Sequence, residues 1–419
     1  MKLWDGANVE DKPLRLRRGL TSTFAIRKKV KNQNNNVTRD VTVVHFLLMF
    51  GYKLFSAYFP LFLLAQGMSL SQVGWSYLLI YLPIALCAPL VGFFSRKTNP
   101  ARVMMLGISG YAAYALAMIF ASDGAILYLW QLALGVSASM FFTASRILLM
   151  AFPQQNIERG MSWFYSAPFW ADAIAPAIGG FLIWAVGFKA VFGVSVIIVF
   201  AALIVAAICL RPLSGKFQGR VLSFGQWRQK WLGILQKMSQ PRIAPVLLAS
   251  LAVLWLGGIF GTFFIIYLKN FLGWTRDSVI LYTAYSSALF SIVYVLLIRP
   301  WQKDKREKSV LTGAASAGFF SMLFALPFIN FVGVFVLDFC RGVAAFISNT
   351  GRSAFVAGHL KNDPEEAAAF DTIFSPLGIA LGSLSAGLLI GPLGYQWLFF
   401  FGGVITLLAI IPALVAGKK

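Results

Sequence analysis

Long apolar stretches alternate with short polar ones along this chain, and the apolar stretches share a common length. Cutting the sequence wherever charges, Gly or Pro interrupt leaves twelve runs, each near the roughly 20 residues a helix needs to cross a bilayer's hydrocarbon. Six come first: Val41–Gln66, Val73–Phe94, Val103–Ala121, Ile126–Phe152, Met161–Ala185 and Ala190–Leu210. Six more follow a polar segment: Ile243–Leu268, Val279–Leu297, Val310–Phe328, Phe331–Gly358, Ala367–Ile390 and Trp397–Val415. The expected fold class is all-α integral membrane, with twelve transmembrane helices in two pseudo-symmetric six-helix bundles.

Composition points the same way. Hydrophobic residues make up 58% of the chain and charged ones 12%, whereas a soluble domain carries about a quarter charged. The 39 Phe, 13 Tyr and 12 Trp would drive a water-soluble protein to aggregate. A formal charge of +21 suggests nucleic acid until the basic residues are located. Thirty of the 36 lie in segments that alternate with the opposite side of the membrane, the pattern of a positive-inside topology rather than of a nucleic-acid groove. On the other side stand only Lys189, Lys269 and Arg276, and within the spans Lys53, Arg146 and Arg341. Both termini are therefore expected in the cytoplasm, and the protein in the cell (cytoplasmic or inner) membrane as a multi-pass chain.

Residues 1–40 are polar and basic and are expected to form a disordered cytoplasmic tail. Residues 41–210 and 243–416 form the two bundles, joined by the linker 211–242, which has seven basic residues and no acidic one. In that linker Trp227, Trp231, Ile234, Leu235 and Met238 recur at helical spacing, which suggests an amphipathic helix on the lipid surface; a plain tether is the other reading. The halves retain internal similarity. Gly135, Val136 and Ala138 match Gly342, Val343 and Ala345 at an offset of 207, as do Gly180 and Gly187 with Gly387 and Gly394. Arg146 and Phe164 match Arg352 and Phe370 at 206. An even number of helices per half gives both repeats one orientation, so a binding cavity is expected between them near the midplane.

Over residues 41 to 416 the sequence resembles the major facilitator superfamily. In span 5, Ala171, Ala175, Pro176, Gly179 and Gly180 fit the pattern G-x-x-x-G-P-x-x-G-G, with Ala in place of the first two glycines. In that family the element marks many proton-driven antiporters; tight packing of small residues is the simpler account. The loop after span 2 resembles the element G-x-x-x-D-R-x-G-R-R and keeps Arg96, Lys97 and Arg102. Val91 replaces its Gly and Ser95 its Asp, so the carboxylate that the family uses as a latch is absent. The basic residues could equally serve only to set topology. Gln131 and Gly135 stand in span 4 where the family often has R-x-x-x-G.

Ionisable groups at bilayer depth are expensive, so each is a site candidate. Lys53 and Asp172 lie about equally far into spans 1 and 5, roughly 18 Å deep at 1.5 Å per residue, and are predicted to pair. Burial favours a protonated carboxyl and a nearby ammonium favours the carboxylate, so a change of conformation can move a proton there. A permanent pair that fixes packing is the competing reading. Asp338 and Arg341 lie three apart on span 10, where they can pair with each other; Arg341 could instead attract an anionic substrate. The repeat sets Asp338 opposite Gln131, and both are expected at the cavity border. Tyr52, Trp130 and Trp255 are expected to line the pocket. Arg146 and Arg352 are read as interfacial anchors, and His45 and His359 as helix-end residues.

The three cysteines and two histidines have no metal-ligand spacing, and no phosphate-cradling G-x-x-x-x-G-K-[ST] loop occurs. No catalytic site, metal or cofactor is expected. The sequence reads as a secondary transporter of a small organic or amphiphilic solute, working by alternating access as a proton-coupled exporter and as a monomer. Two alternatives stand: an importer of a sugar or organic anion with the same fold, and a membrane adaptor or sensor that does not transport.

Overall fold

The computed structural model describes residues 37–121, 124–151, 157–210, 223–297, 306–326, 330–360 and 364–416. The tail up to residue 36, linker residues 211–222 and the C-terminal lysines lie outside them.

Every described segment is mainly helical. Helix α1 (Val37–Ser56) and α2 (Phe59–Ala65) form one span bent by 44°. The bend falls just before Pro60, which has no backbone donor and disfavours helical geometry in the residue before it. Then come α3 (Leu70–Lys97), α4 (Pro100–Phe120), α5 (Gly124–Ala151), α6 (Ile157–Ala185) and α7 (Phe188–Leu210). Ser69 and Gln72 start α3 with a reciprocal capping box, which satisfies donors that the first turn leaves open. The second half contains α9 (Ala244–Ile266), α10 (Arg276–Leu297), α11 (Arg306–Met322), α12 (Phe331–His359), α13 (Pro364–Leu408) and α14 (Ile411–Ala416), with α8 (Phe224–Met238) between the halves.

Among the described residues nine helices are long and apolar enough to cross a membrane, or ten with the bent pair counted as one span. Two features reduce the number below the twelve expected runs. Helix α11 has only 17 residues before it tightens into a 3₁₀ turn, Leu323–Ala325. Segment α13 covers two expected spans as two helical stretches that meet at Gly394, whose φ of 76° only glycine adopts at little cost.

The repeat is visible in the packing. Gly187 and its counterpart Gly394 both have positive φ at the turn between two spans. The halves meet along two seams, α3 against α13 and α6 against α10. A Cβ on Gly74 would lie 3.1 Å from the Cα of Gly387, and one on Gly180 would lie 2.7 Å from Ile280, so small residues set both separations. The end of the bundle away from α8 is called the far end below.

Helix α8 lies across the opposite end. Ser223 and Gln226 cap it, and Trp231, Ile234 and Met238 are buried against Val246, Phe355, Val356 and Phe370. The apolar face expected on lipid therefore rests on protein, because the ends of α9, α12 and α13 offer it an apolar surface. On the first-half side Trp227 packs against Phe93 of α3, with ring centroids 5.6 Å apart. Lys230 of α8 binds Glu366 of α13 at 2.9 Å.

Gly179 of α6 allows the closest approach within the first half, since a Cβ there would collide with the carbonyl of Leu54 in α1. Gly179→Ala should cost about 1–3 kcal/mol through forced separation of these helices. Gly193→Ala, where α7 faces open space, should unfold at the wild-type temperature or slightly above it. Thermal unfolding followed by size-exclusion profile checks this; equal midpoints for the two variants would show that the α1–α6 contact is not tight.

Candidate functional site

Two charged groups lie at mid-depth in the described bundle, one in each half. In the first half Lys53 Nζ lies 2.9 Å from Asp172 Oδ1, joining α1 to α6. Their side chains keep 28% and 27% exposure, so the pair is neither sealed nor freely solvated. Gly179 lies two helical turns beyond Asp172 and brings α1 close enough for the ammonium to reach the carboxylate.

Tyrosines surround this pair. The Tyr52 and Tyr111 rings meet edge to face at 5.7 Å, and Tyr81 lies within hydrogen-bonding range of Tyr52 and electrostatic range of Lys53 and Asp172. Tyr294 of α10 lies within electrostatic range of Asp172, Asp338 and Arg341, so the two groups face each other across the halves. Phe169 of α6 supports that junction, with its ring 5.2 Å from Tyr294 and 5.6 Å from Phe346.

In the second half Asp338 binds Arg341 at 2.5 Å with one oxygen and accepts a 2.7 Å hydrogen bond from Tyr282 with the other. The Arg341 guanidinium also lies 4.0 Å over the Phe260 ring, a cation–π contact. The local pairing expected from their spacing is present. Arg341 binds its carboxylate through one nitrogen and stacks on its aromatic partner, while its Nε has no partner among the described residues.

Other expected site residues are placed differently. Gln131 is fully buried between α5 and α4, where its Oε1 accepts from Tyr114 at 3.1 Å and its Nε2 has no partner. Its amide meets α4 within the first half, whereas Asp338 meets Tyr282 of α10. Trp130 is half-buried in the first-half core. Trp255 donates to Ser385 at 2.8 Å, linking α9 to α13. Pro176 is buried, and its carbonyl accepts from Tyr58 at 2.9 Å. Lys97 is exposed with its ammonium 4.4 Å over Phe93, and Arg102 is exposed; Arg96 belongs to α3, and its side chain lies outside the described set.

Three residues set aside as end-of-helix groups are buried contacts instead. Arg352, 4% exposed, binds Asp371 at 2.9 Å. Arg146 donates to Thr372 on the other half. His45 is buried inside α1, with Nδ1 3.1 Å from the Phe164 carbonyl and its ring 4.3 Å from the Phe164 ring. Each lies near a helix end or charged flank in the sequence, but a neighbouring helix covers it. Tyr81, Tyr111 and Tyr282 escaped the sequence reading altogether. Nothing in the sequence singled them out, since a tyrosine is at home in an apolar helix whether or not its hydroxyl has a partner.

A long α-helical bundle with a charged pair in each half is the setting in which comparison with known proteins becomes informative. The model of the Major Facilitator Superfamily matches residues 41–370. The "Uncharacterized MFS-type transporter YitZ" of Bacillus subtilis (strain 168) is 30% identical over 139 residues, which are 32% of this chain and 83% of that protein. A POT family transporter solved with a thioalcohol-conjugated peptide has the same fold, with a TM-score of 0.69 at 14% identity over 91% of this chain and 96% of the other. The human organic anion transporter MFSD10 (TETRAN) superposes with a TM-score of 0.63 at 15% identity, over 91% of this chain and 99% of the other. The chain is a multi-pass membrane protein, a transporter rather than an enzyme, and it belongs to the Major Facilitator Superfamily.

Proposed function

We propose that this secondary transporter exports a small organic or amphiphilic solute in exchange for protons, with Asp172 as the proton-carrying group. The observation that carries this reading is the half-exposed Lys53–Asp172 pair at mid-depth. An adjacent ammonium favours a carboxylate, and low-dielectric surroundings favour its protonated form. When the halves move and the ammonium withdraws, or a cationic substrate takes its place, the carboxylate can exchange a proton with the side then open. Lys53 keeps its charge throughout.

Alternating exposure requires the two halves to rock about the space between them. The domain reading of residues 41–210 and 243–416 as the two moving bodies suits the seams, which run α3 to α13 and α6 to α10. The basic flanks support a cytoplasmic position for the α8 end, and with it for both termini. Pro176, Gly179 and Gly180 lie where α6 meets α1 and α10, and support an export role through the span 5 element. Arg96, Lys97 and Arg102 serve as cytoplasmic topology or gating groups. The importer of an organic anion draws less support, since the cation it would use, Arg341, already binds Asp338 and stacks on Phe260.

The experiment is internal pH in proteoliposomes during addition of candidate solutes. Wild type should show substrate-evoked proton movement, and Asp172→Asn should abolish it while keeping substrate binding within about tenfold, the effect of losing one modest polar contact. Unaltered coupling in Asp172→Asn would return the pair to a packing role. Tyr282→Phe serves as the contrast: it should keep coupling but lose about 1 kcal/mol of stability with the hydrogen bond to Asp338, read as a lower thermal midpoint. Loss of proton coupling in this variant would instead place the proton site in the second half.

A further inference from the structure

The far end of the bundle is almost bare of charge, yet two of its basic residues meet at one cavity. Lys269, in the π-helical turn Tyr267–Phe271 that ends α9, and Arg276, the first residue of α10, line a cavity of about 290 Å³. Its other walls are apolar and come from both halves, with Leu61 of α2, Ile183 of α6, Phe188 of α7 and Val279 of α10 among them. The cavity is at the lower bound of ligand-pocket sizes and straddles the α6–α10 seam.

The two cations are differently engaged. Arg276 donates to the carbonyl of Ile183 across the seam, which leaves the rest of its fork of donors available. Lys269 is exposed and has no hydrogen bond or ion pair among the described residues. Asp277, the one described acidic residue at this end, is exposed and does not line the cavity. A cationic rim over an apolar interior is complementary to an anionic headgroup carrying a hydrocarbon chain.

Position selects the source of that amphiphile. The helices forming the walls carry Phe181, Trp184 and Leu281 exposed on their outer surfaces, as helices facing lipid do. Both cations lie at helix ends, where a spanning helix meets lipid headgroups, while Val279 lies about one turn further into α10, roughly 5 Å along its axis. We propose that this cavity binds an anionic phospholipid of the surrounding leaflet, with its phosphate on Lys269 and Arg276 and part of an acyl chain among Leu61, Ile183, Phe188 and Val279. Bound there, the lipid bridges α9 and α10 to α6 and holds the far-end seam closed.

The test uses the full-length protein in mild detergent, with affinities taken from the rise of the thermal midpoint on adding lipid. Phosphatidylglycerol should bind more tightly than phosphatidylcholine of the same chains. Lys269→Gln should weaken phosphatidylglycerol about fivefold, the effect of one basic group at a membrane surface, and Lys269→Arg should restore it. Lys189→Gln, which removes a charge from the same end but outside the cavity, should bind as wild type does. Equal affinity for the two lipids, or equal losses in Lys269→Gln and Lys189→Gln, would overturn the site. Inorganic phosphate raising the midpoint as far as phosphatidylglycerol would overturn the role of the acyl chain and leave a free anion as the ligand.

Discussion

A charge placed in hydrocarbon must be answered by another group close by, because the medium offers nothing else to solvate it, and this constraint organises the interior of the protein. Lys53 is answered by Asp172, and Arg341 by Asp338, whose second oxygen is in turn answered by Tyr282. Arg352 is answered by Asp371. A pair that joins two helices requires a particular separation, and for Lys53 and Asp172 a glycine supplies it. Gly179 lets α1 lie against α6, and without that approach a lysine on one helix would not reach an aspartate on the other.

The same constraint made part of the site legible in the sequence. Lys53 and Asp172 stand out because ionisable residues are rare at that depth, and a shared depth on two helices is enough to suggest a pair. Tyr282 and Tyr81 gave no comparable signal, since a tyrosine is at home in an apolar helix whether or not its hydroxyl has a partner. Gln131 shows the limit of the repeat as a guide. An offset of 207 places it on the helix equivalent to that of Asp338, yet its amide turns toward Tyr114 inside the first half.

Fold was more readable than contact. Span-length hydrophobicity located the helices, and the break at Gly394 falls between the expected spans Ala367–Ile390 and Trp397–Val415, but it could not show that α11 would tighten into a 3₁₀ turn after Met322. Nor could an amphipathic pattern show what covers the apolar face of α8, since lipid and protein select the same residues. Arg146 and Arg352 posed the same difficulty: an arginine near a span end can snorkel to the surface, and only the neighbouring helix, with Thr372 and Asp371 side by side, turns both inward.

The distribution of these pairs bears on how the proposed rocking could occur. At mid-depth the described ion pairs are internal to one half: Lys53 with Asp172 joins α1 to α6, and Asp338 with Arg341 lies within α12. Aromatic contact crosses between the halves at that level, Phe169 against Tyr294 and Phe346. Polar contacts that do cross lie nearer the ends, Arg146 to Thr372 toward α8 and Arg276 to the Ile183 carbonyl at the far end. Water can replace an end contact as it opens, whereas separating a mid-depth ion pair would leave two charges in a low-dielectric gap. Rocking of one half on the other therefore need not break a buried ion pair. Under the proposed function, opening of the Lys53–Asp172 pair is a separate event within one half, available to a proton or a cationic substrate, and the proposed movement of the halves decides which side of the membrane that event faces.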